Sequence, residues 1–181
     1  MTDTNQQYKE AISRCRDIFK HKLYDYGPSW RILRPVAVTD QLFIKAKRIR
    51  TLEETGVNAV GEGILPEFMA IVNYAVVGVI QLRLGAADYK DMTASEALKM
   101  YDRVLDEAYE LMETKNHDYG EAWRMMRVLS YTDFILTKIA RVKEIEGNNG
   151  ETTVSEGIDS NYFDMLNYAV FGIIKLTEQN D

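Results

Sequence analysis

Four side chains near the C-terminal end of this 181-residue chain stand at intervals that could gather oxygen ligands: Glu156, Asp159, Asp164 and Asn167. On a continuous helix from 156 to 168 their spacings fall close to whole turns, so all four project along one stripe. Hard oxygens converging inside a helical bundle suit Mg²⁺, which completes its shell with water and phosphate oxygens. On that reading Glu156, Asp159 and Asp164 are the metal ligands, and Glu156 and Asp164 are the catalytic pair. Asn167 and the adjacent Tyr168 face the substrate. A plainer arrangement fits the same spacing, with Asp159 capping a helix, Glu156 in a loop and Asp164 exposed.

The cations tell a complementary story. Lys45 with Arg48, and Lys138 with Arg141, are pairs one helical turn apart. Such a pair grips a di- or triphosphate, or bonds to carboxylates of a neighbouring helix. Tyr26, Trp30, Tyr119 and Trp123 have faces that stack on a base, although large aromatics equally fill the core beneath a turn. Asn73 and Asn167 interrupt apolar runs. A buried amide needs partners, either in a network that fixes helix register or on a ligand. No P-loop, dinucleotide glycine pattern, zinc-type spacing or nucleophile elbow is present. One cysteine, Cys15, excludes a disulfide scaffold, and His21 and His117 offer little acid–base chemistry.

Many of these residues recur because the sequence is written twice. A shift of 93 places KLYDYGPSWRILR (22–34) on KNHDYGEAWRMMR (115–127). Thr39-Asp40 then falls on Thr132-Asp133, Lys45 on Lys138 and Arg48 on Arg141. After one inserted residue, VGEGILPEFMAIVNYAVVGVIQL (60–82) lies on VSEGIDSNYFDMLNYAVFGIIKL (154–176). Glu62 matches Glu156. Asp159, Asn161 and Asp164 match Leu65, Glu67 and Ala70, so the carboxylate stripe belongs to the second copy. That copy is therefore expected to dominate any site.

Each copy reads as three helices. Tyr8, Ile12, Cys15 and Phe19 mark one buried face of a helix over 5–23, with a capping box at Thr4–Gln7. DYGPSW is a turn. A second helix starts at the cap-type pair Thr39/Asp40 and runs to about 54, and a third runs from about 66 to 84. The second copy gives helices near 95–116, 133–146 and 160–178, the first capped by Thr93 to Glu96. Alternation typical of strands is absent. The expected fold is all-α: a pseudo-twofold bundle of six long and two short helices. Residues 1–92 are the first helical repeat and 93–181 the second, joined in one compact domain. Ala75/Gly78 and Ala169/Gly172 mark the close central approach.

The net charge is −6, but 13 Lys and Arg face 11 Asp and Glu over residues 1–92, against 9 and 17 over 93–181. A slightly basic half and a strongly acidic half argue against general nucleic-acid binding. They suit either a metal-and-phosphate cleft or a plain electrostatic interface. Phe68 to Leu82 is shorter than the roughly 20 residues a bilayer span needs, and is broken by Asn73 and Gln81. No signal-like segment opens the sequence, so a cytoplasmic protein is expected.

The order DYG-x-x-W, K-x-x-R and E-x-x-D-x4-D-x-x-N-Y resembles the nucleotide modification associated domain 1 family of phages and bacteria. Here those motifs are Asp118-Tyr119-Gly120 with Trp123, Lys138 with Arg141, and Glu156, Asp159, Asp164, Asn167 and Tyr168. More distantly the chain looks like the all-α nucleoside triphosphate pyrophosphohydrolases of the MazG and dimeric dUTPase type. That likeness implies a Mg²⁺-dependent nucleotide pyrophosphohydrolase or a related nucleotide-processing protein, with a small-molecule nucleotide as partner. The chain departs from that pattern where Lys138 and Arg141 replace an E-x-x-E pair. The alternative is a non-catalytic helical module that binds a nucleotide or a partner protein, as a monomer or a homodimer.

Overall fold

The computed structural model describes residues 3–56 and 63–178, and no strand occurs among them. Helices α1 (Thr4–Tyr26), α2 (Pro35–Thr55) and α3 (Leu65–Leu84) make up the first repeat. Helices α4 (Ala94–Tyr119), α5 (Val128–Gly147) and α6 (Ile158–Glu178) make up the second. Short 3₁₀ turns, Ser29–Ile32 and Ala122–Met125, follow α1 and α4. The expected all-α duplication is thus realised element for element.

Local chemistry explains the boundaries. Thr93 caps α4 through a complete capping box, its hydroxyl accepting from the Glu96 backbone while Glu96 accepts from the Thr93 N–H. Gly27 and Gly120 end α1 and α4 at φ of 70° and 63°, a region where a Cβ is strained. Three expected starts move. The cap of α1 is Asp3, which accepts from the Asn5 backbone, while Thr4 turns its hydroxyl to Glu121. Helices α2 and α5 begin about one turn earlier than Thr39/Asp40 and Asp133, at Pro35 and Val128. Proline suits a first turn because its missing N–H has no helical partner there.

Thr39 and Thr132 are consequently buried inside helices, and they bond across the repeats. Thr39 donates to Glu146 at 3.1 Å, and Thr132 to Glu53 at 3.2 Å. Glu146 and Glu53 are themselves equivalent positions, so the two bonds are one interaction made twice.

The centre is α3 against α6, flanked by α2 and α5, with α1 and α4 each packed on both central helices. Gly78 of α3 receives the Tyr162 ring, and Gly172 of α6 receives the Phe68 ring. These too are matched positions, so the small residues do serve a close approach. Helix α3 is long and apolar enough to cross a membrane by length and composition, correcting the length argument made from Phe68 to Leu82. Yet 61% of its apolar window is buried inside the bundle, as in a core helix.

A third reciprocal pair locks the outer helices. Tyr101 donates to Asn73 Oδ1 at 2.6 Å, while Asn73 Nδ2 donates to the Cys15 carbonyl at 3.1 Å. Tyr8 donates to Asn167 Oδ1, and Asn167 Nδ2 donates to the Ala108 carbonyl at 3.2 Å. Burial pushes both phenols well above their ordinary value, so both remain protonated donors.

Candidate functional site

Asp164 lies on α6 between two lysines of its own repeat. Its Oδ1 is 2.7 Å from Lys115 Nζ on α4, and its Oδ2 is 2.8 Å from Lys138 Nζ on α5. Burial alone would raise the carboxyl's pKa, but the hydrogen bonds from the two ammoniums outweigh it and hold the group below its usual value. Burial likewise opposes the charge of Lys115, and its bond to Asp164 leaves it above the ordinary lysine value. Asp164 is an ionised, doubly paired group.

The other two expected ligands do not join it. Helix α6 begins at Ile158, so Glu156 precedes the helix and is exposed, which breaks the stripe. Asp159 is exposed in the first turn, within electrostatic reach of Arg83. No group of three or more His, Cys, Asp or Glu residues placed to hold a metal occurs among the described residues. The three carboxylates therefore do not fit a Mg²⁺ cage here. Glu62, the match of Glu156, lies outside the described residues.

The expected substrate contacts of the second repeat are largely spent internally. Asn167 uses both ends of its amide on Tyr8 and Ala108. Trp123 is buried, stacked on Phe171 at 4.5 Å between centroids, with the Arg124 guanidinium 4.4 Å from its ring. Tyr168 packs its ring on Phe134 and Tyr131. Tyr119 and Arg141 are exposed, at the last residue of α4 and on α5. Burial pushes the Cys15 thiol up to about 12, which excludes it as a nucleophile at neutral pH.

The first repeat is different. A cavity of about 420 Å³ opens there, lined among others by Lys22, Lys45, Tyr26, Trp30, Ala70 and Tyr74. Lys22 matches Lys115, Lys45 matches Lys138, and Ala70 matches Asp164. Two further lining residues, Met69 and Val77, match the larger Phe163 and Phe171. The cavity thus exists where three side chains are smaller than their second-repeat partners. Lys22 makes no ion pair among the described residues. Lys45 stands 3.6 Å from Glu67, longer than a hydrogen bond. Glu67 is buried and bonded instead by Arg48 at 2.6 Å. Lys45 and Arg48 therefore converge on one carboxylate, and of the two only Lys45 lines the cavity.

The match to a family model is decisive at this point: nucleotide modification associated domain 1 matches twice, over residues 22–82 and 115–176. The chain belongs to this family. No curated protein and no solved structure matches it. Within this nucleotide modification associated domain 1 protein, the two matched regions contain both lysine pairs, Ala70 and Asp164. Both domain copies keep the lysine three residues ahead of DYG, the signal by which Lys22 and Lys115 could have been found. A lysine near a helix end reads as surface and belongs to no recognised chemical motif. In the second copy the Asp164 carboxylate is neutralised by two lysines, whereas in the first the matching position, Ala70, borders the cavity lined by Lys22 and Lys45.

Proposed function

We propose that the chain binds a small phosphorylated nucleotide in the first-repeat cavity. The observation that carries this reading is the pair Lys22 and Lys45 lining an open, aromatic-walled cavity, in a chain of a nucleotide-modification-associated family. The two ammoniums neutralise phosphate oxygens, and Tyr26, Trp30 and Tyr74 offer ring surface for a base. A cavity of about 420 Å³ is within the range of small-molecule sites.

Pyrophosphohydrolysis is the finer alternative, implied by the likeness to the all-α pyrophosphohydrolases. It needs a metal, and the carboxylates expected to hold one do not gather. The reading therefore favours binding over hydrolysis, and a free nucleotide over long nucleic acid.

Calorimetric titration of the full chain tests this with nucleoside 5′-monophosphates and 5′-triphosphates against the matching nucleosides. Phosphorylated ligands should bind at least tenfold more tightly, and Lys22→Ala or Lys45→Ala should remove about that factor. Equal binding of nucleoside and nucleotide would overturn the proposal. Release of pyrophosphate from triphosphates with Mg²⁺ present would restore the hydrolase reading.

A further inference from the structure

The two repeats build the same frame around one position and then fill it differently. In the second, Asp164 gives one carboxylate oxygen to Lys115 and the other to Lys138, at 2.7 and 2.8 Å. In the first, the matching lysines line a cavity together with Glu67, whose carboxylate bonds to Arg48 at 2.6 Å and stands 3.6 Å from Lys45, and the residue matching Asp164 is Ala70, which carries no charge. The neighbouring wall follows suit: Val77 replaces Phe171, which in the second repeat stacks on Trp123. We infer that the second repeat is a self-liganded copy of the site, in which the Asp164 carboxylate occupies the place where the first repeat receives an anionic group of its ligand.

This inference rests on the reading of the first-repeat cavity as the nucleotide site, and it specifies the chemistry of the group bound there. Each lysine of the second repeat takes a different oxygen of one group. A ligand that replaces that carboxylate must present two anionic oxygens on one central atom. A terminal phosphoryl group does so, and near neutral pH it carries close to two negative charges, one for each ammonium. The ligand class is therefore a nucleotide with a terminal phosphomonoester, held at its phosphoryl end between Lys22 and Lys45. One such ligand binds per chain, because the second position is already filled from within.

Two variants of the full chain exchange the repeats' identities. Ala70→Asp writes the second repeat's carboxylate into the first. Asp164→Ala combined with Phe171→Val writes the first repeat's opening into the second. The probe is a nucleoside 5′-monophosphate, followed by calorimetry for affinity and stoichiometry, with thermal melts to check folding. The wild type should take one equivalent. Ala70→Asp should bind at least tenfold more weakly, and Ala70→Asn, of similar size but uncharged, should lose less. The double variant should take two equivalents. Wild-type affinity in a folded Ala70→Asp protein overturns the self-liganded reading while leaving the first-repeat site standing. If Ala70→Asp does not fold, a double variant that still takes one equivalent overturns it. No binding of the monophosphate by the wild type removes both readings.

Discussion

Asp164 is held in the fold as the counter-ion of two lysines. Its side chain is 13% exposed and that of Lys138 17%, so the pair is only weakly screened. Replacing Asp164 by Asn should cost about 2 kcal/mol at pH 7, since hydrogen bonds to charged groups are worth more than neutral ones. The pH dependence has a definite sign. A carboxylate held below its ordinary value of 3.8 stabilises the fold above that pH. The contribution is lost as pH falls through the lower native value. The stability gap between wild type and Asp164→Asn should therefore narrow in strongly acidic solution. Denaturant titrations across that range measure it, and a gap independent of pH would show that the charge is not the source. Tyr8→Phe is a second residue-scale test. It leaves Asn167 Oδ1 without its buried donor and should cost about 1–2 kcal/mol in the same assay.

At the scale of elements, the contact of α3 with α6 decides what the central glycines tolerate. A Cβ on Gly78 would stand 2.8 Å from the Tyr162 ring, and one on Gly172 3.1 Å from the Phe68 ring. Tyr162 is fully buried, and its hydroxyl is tied to Thr39 at 2.6 Å, so its ring has little room to retreat. Gly→Ala in a helix gains about 1 kcal/mol of propensity, while overpacking costs about 1–3 kcal/mol. Gly78→Ala should thus be net destabilising, whereas Gly172→Ala should be close to neutral. Thermal melts of the two variants give the order, and the reverse order would contradict the packing described.

Much of this level was readable in the chain. The face carrying Tyr8, Cys15 and Phe19 is buried, and the repeat offset predicted the equivalence of the elements. The starts of α2 and α5 were not readable from Thr39-Asp40, because a threonine suited to a cap is equally suited to a buried cross-repeat hydrogen bond. The site was harder still. Carboxylates announce themselves by type, but the cavity is defined by what Ala70 and Val77 lack. A missing volume has no motif, and only the comparison with Asp164 and Phe171 makes it visible.

For the whole molecule, the polar locks all run between repeats. Tyr8 reaches Asn167 and Tyr101 reaches Asn73, while Thr39 reaches Glu146 and Thr132 reaches Glu53. A chain cut between residues 85 and 92 should give halves that do not unfold cooperatively as monomers, because each exposes the central face of α3 or α6. Mixing the halves should restore helicity and a cooperative transition, seen by circular dichroism and size exclusion. A stable monomeric half would show that the repeats are independent. The segment between them is not slack: Asp91 pairs with the buried Arg31 at 2.8 Å, and the Ala87 N–H donates to the Arg31 carbonyl.

That tether has a consequence for what the two copies are able to become. In a symmetric homodimer every substitution appears twice, so a carboxylate that fills one cleft fills both. Joined through a short linker, the halves meet at an effective concentration on the order of millimolar, whatever the dilution of the protein. They are also free to change one at a time. Ala70 and Asp164 can stand at matched positions only because one chain encodes both, and the covalent bond that secures assembly is what permits the symmetry to be broken.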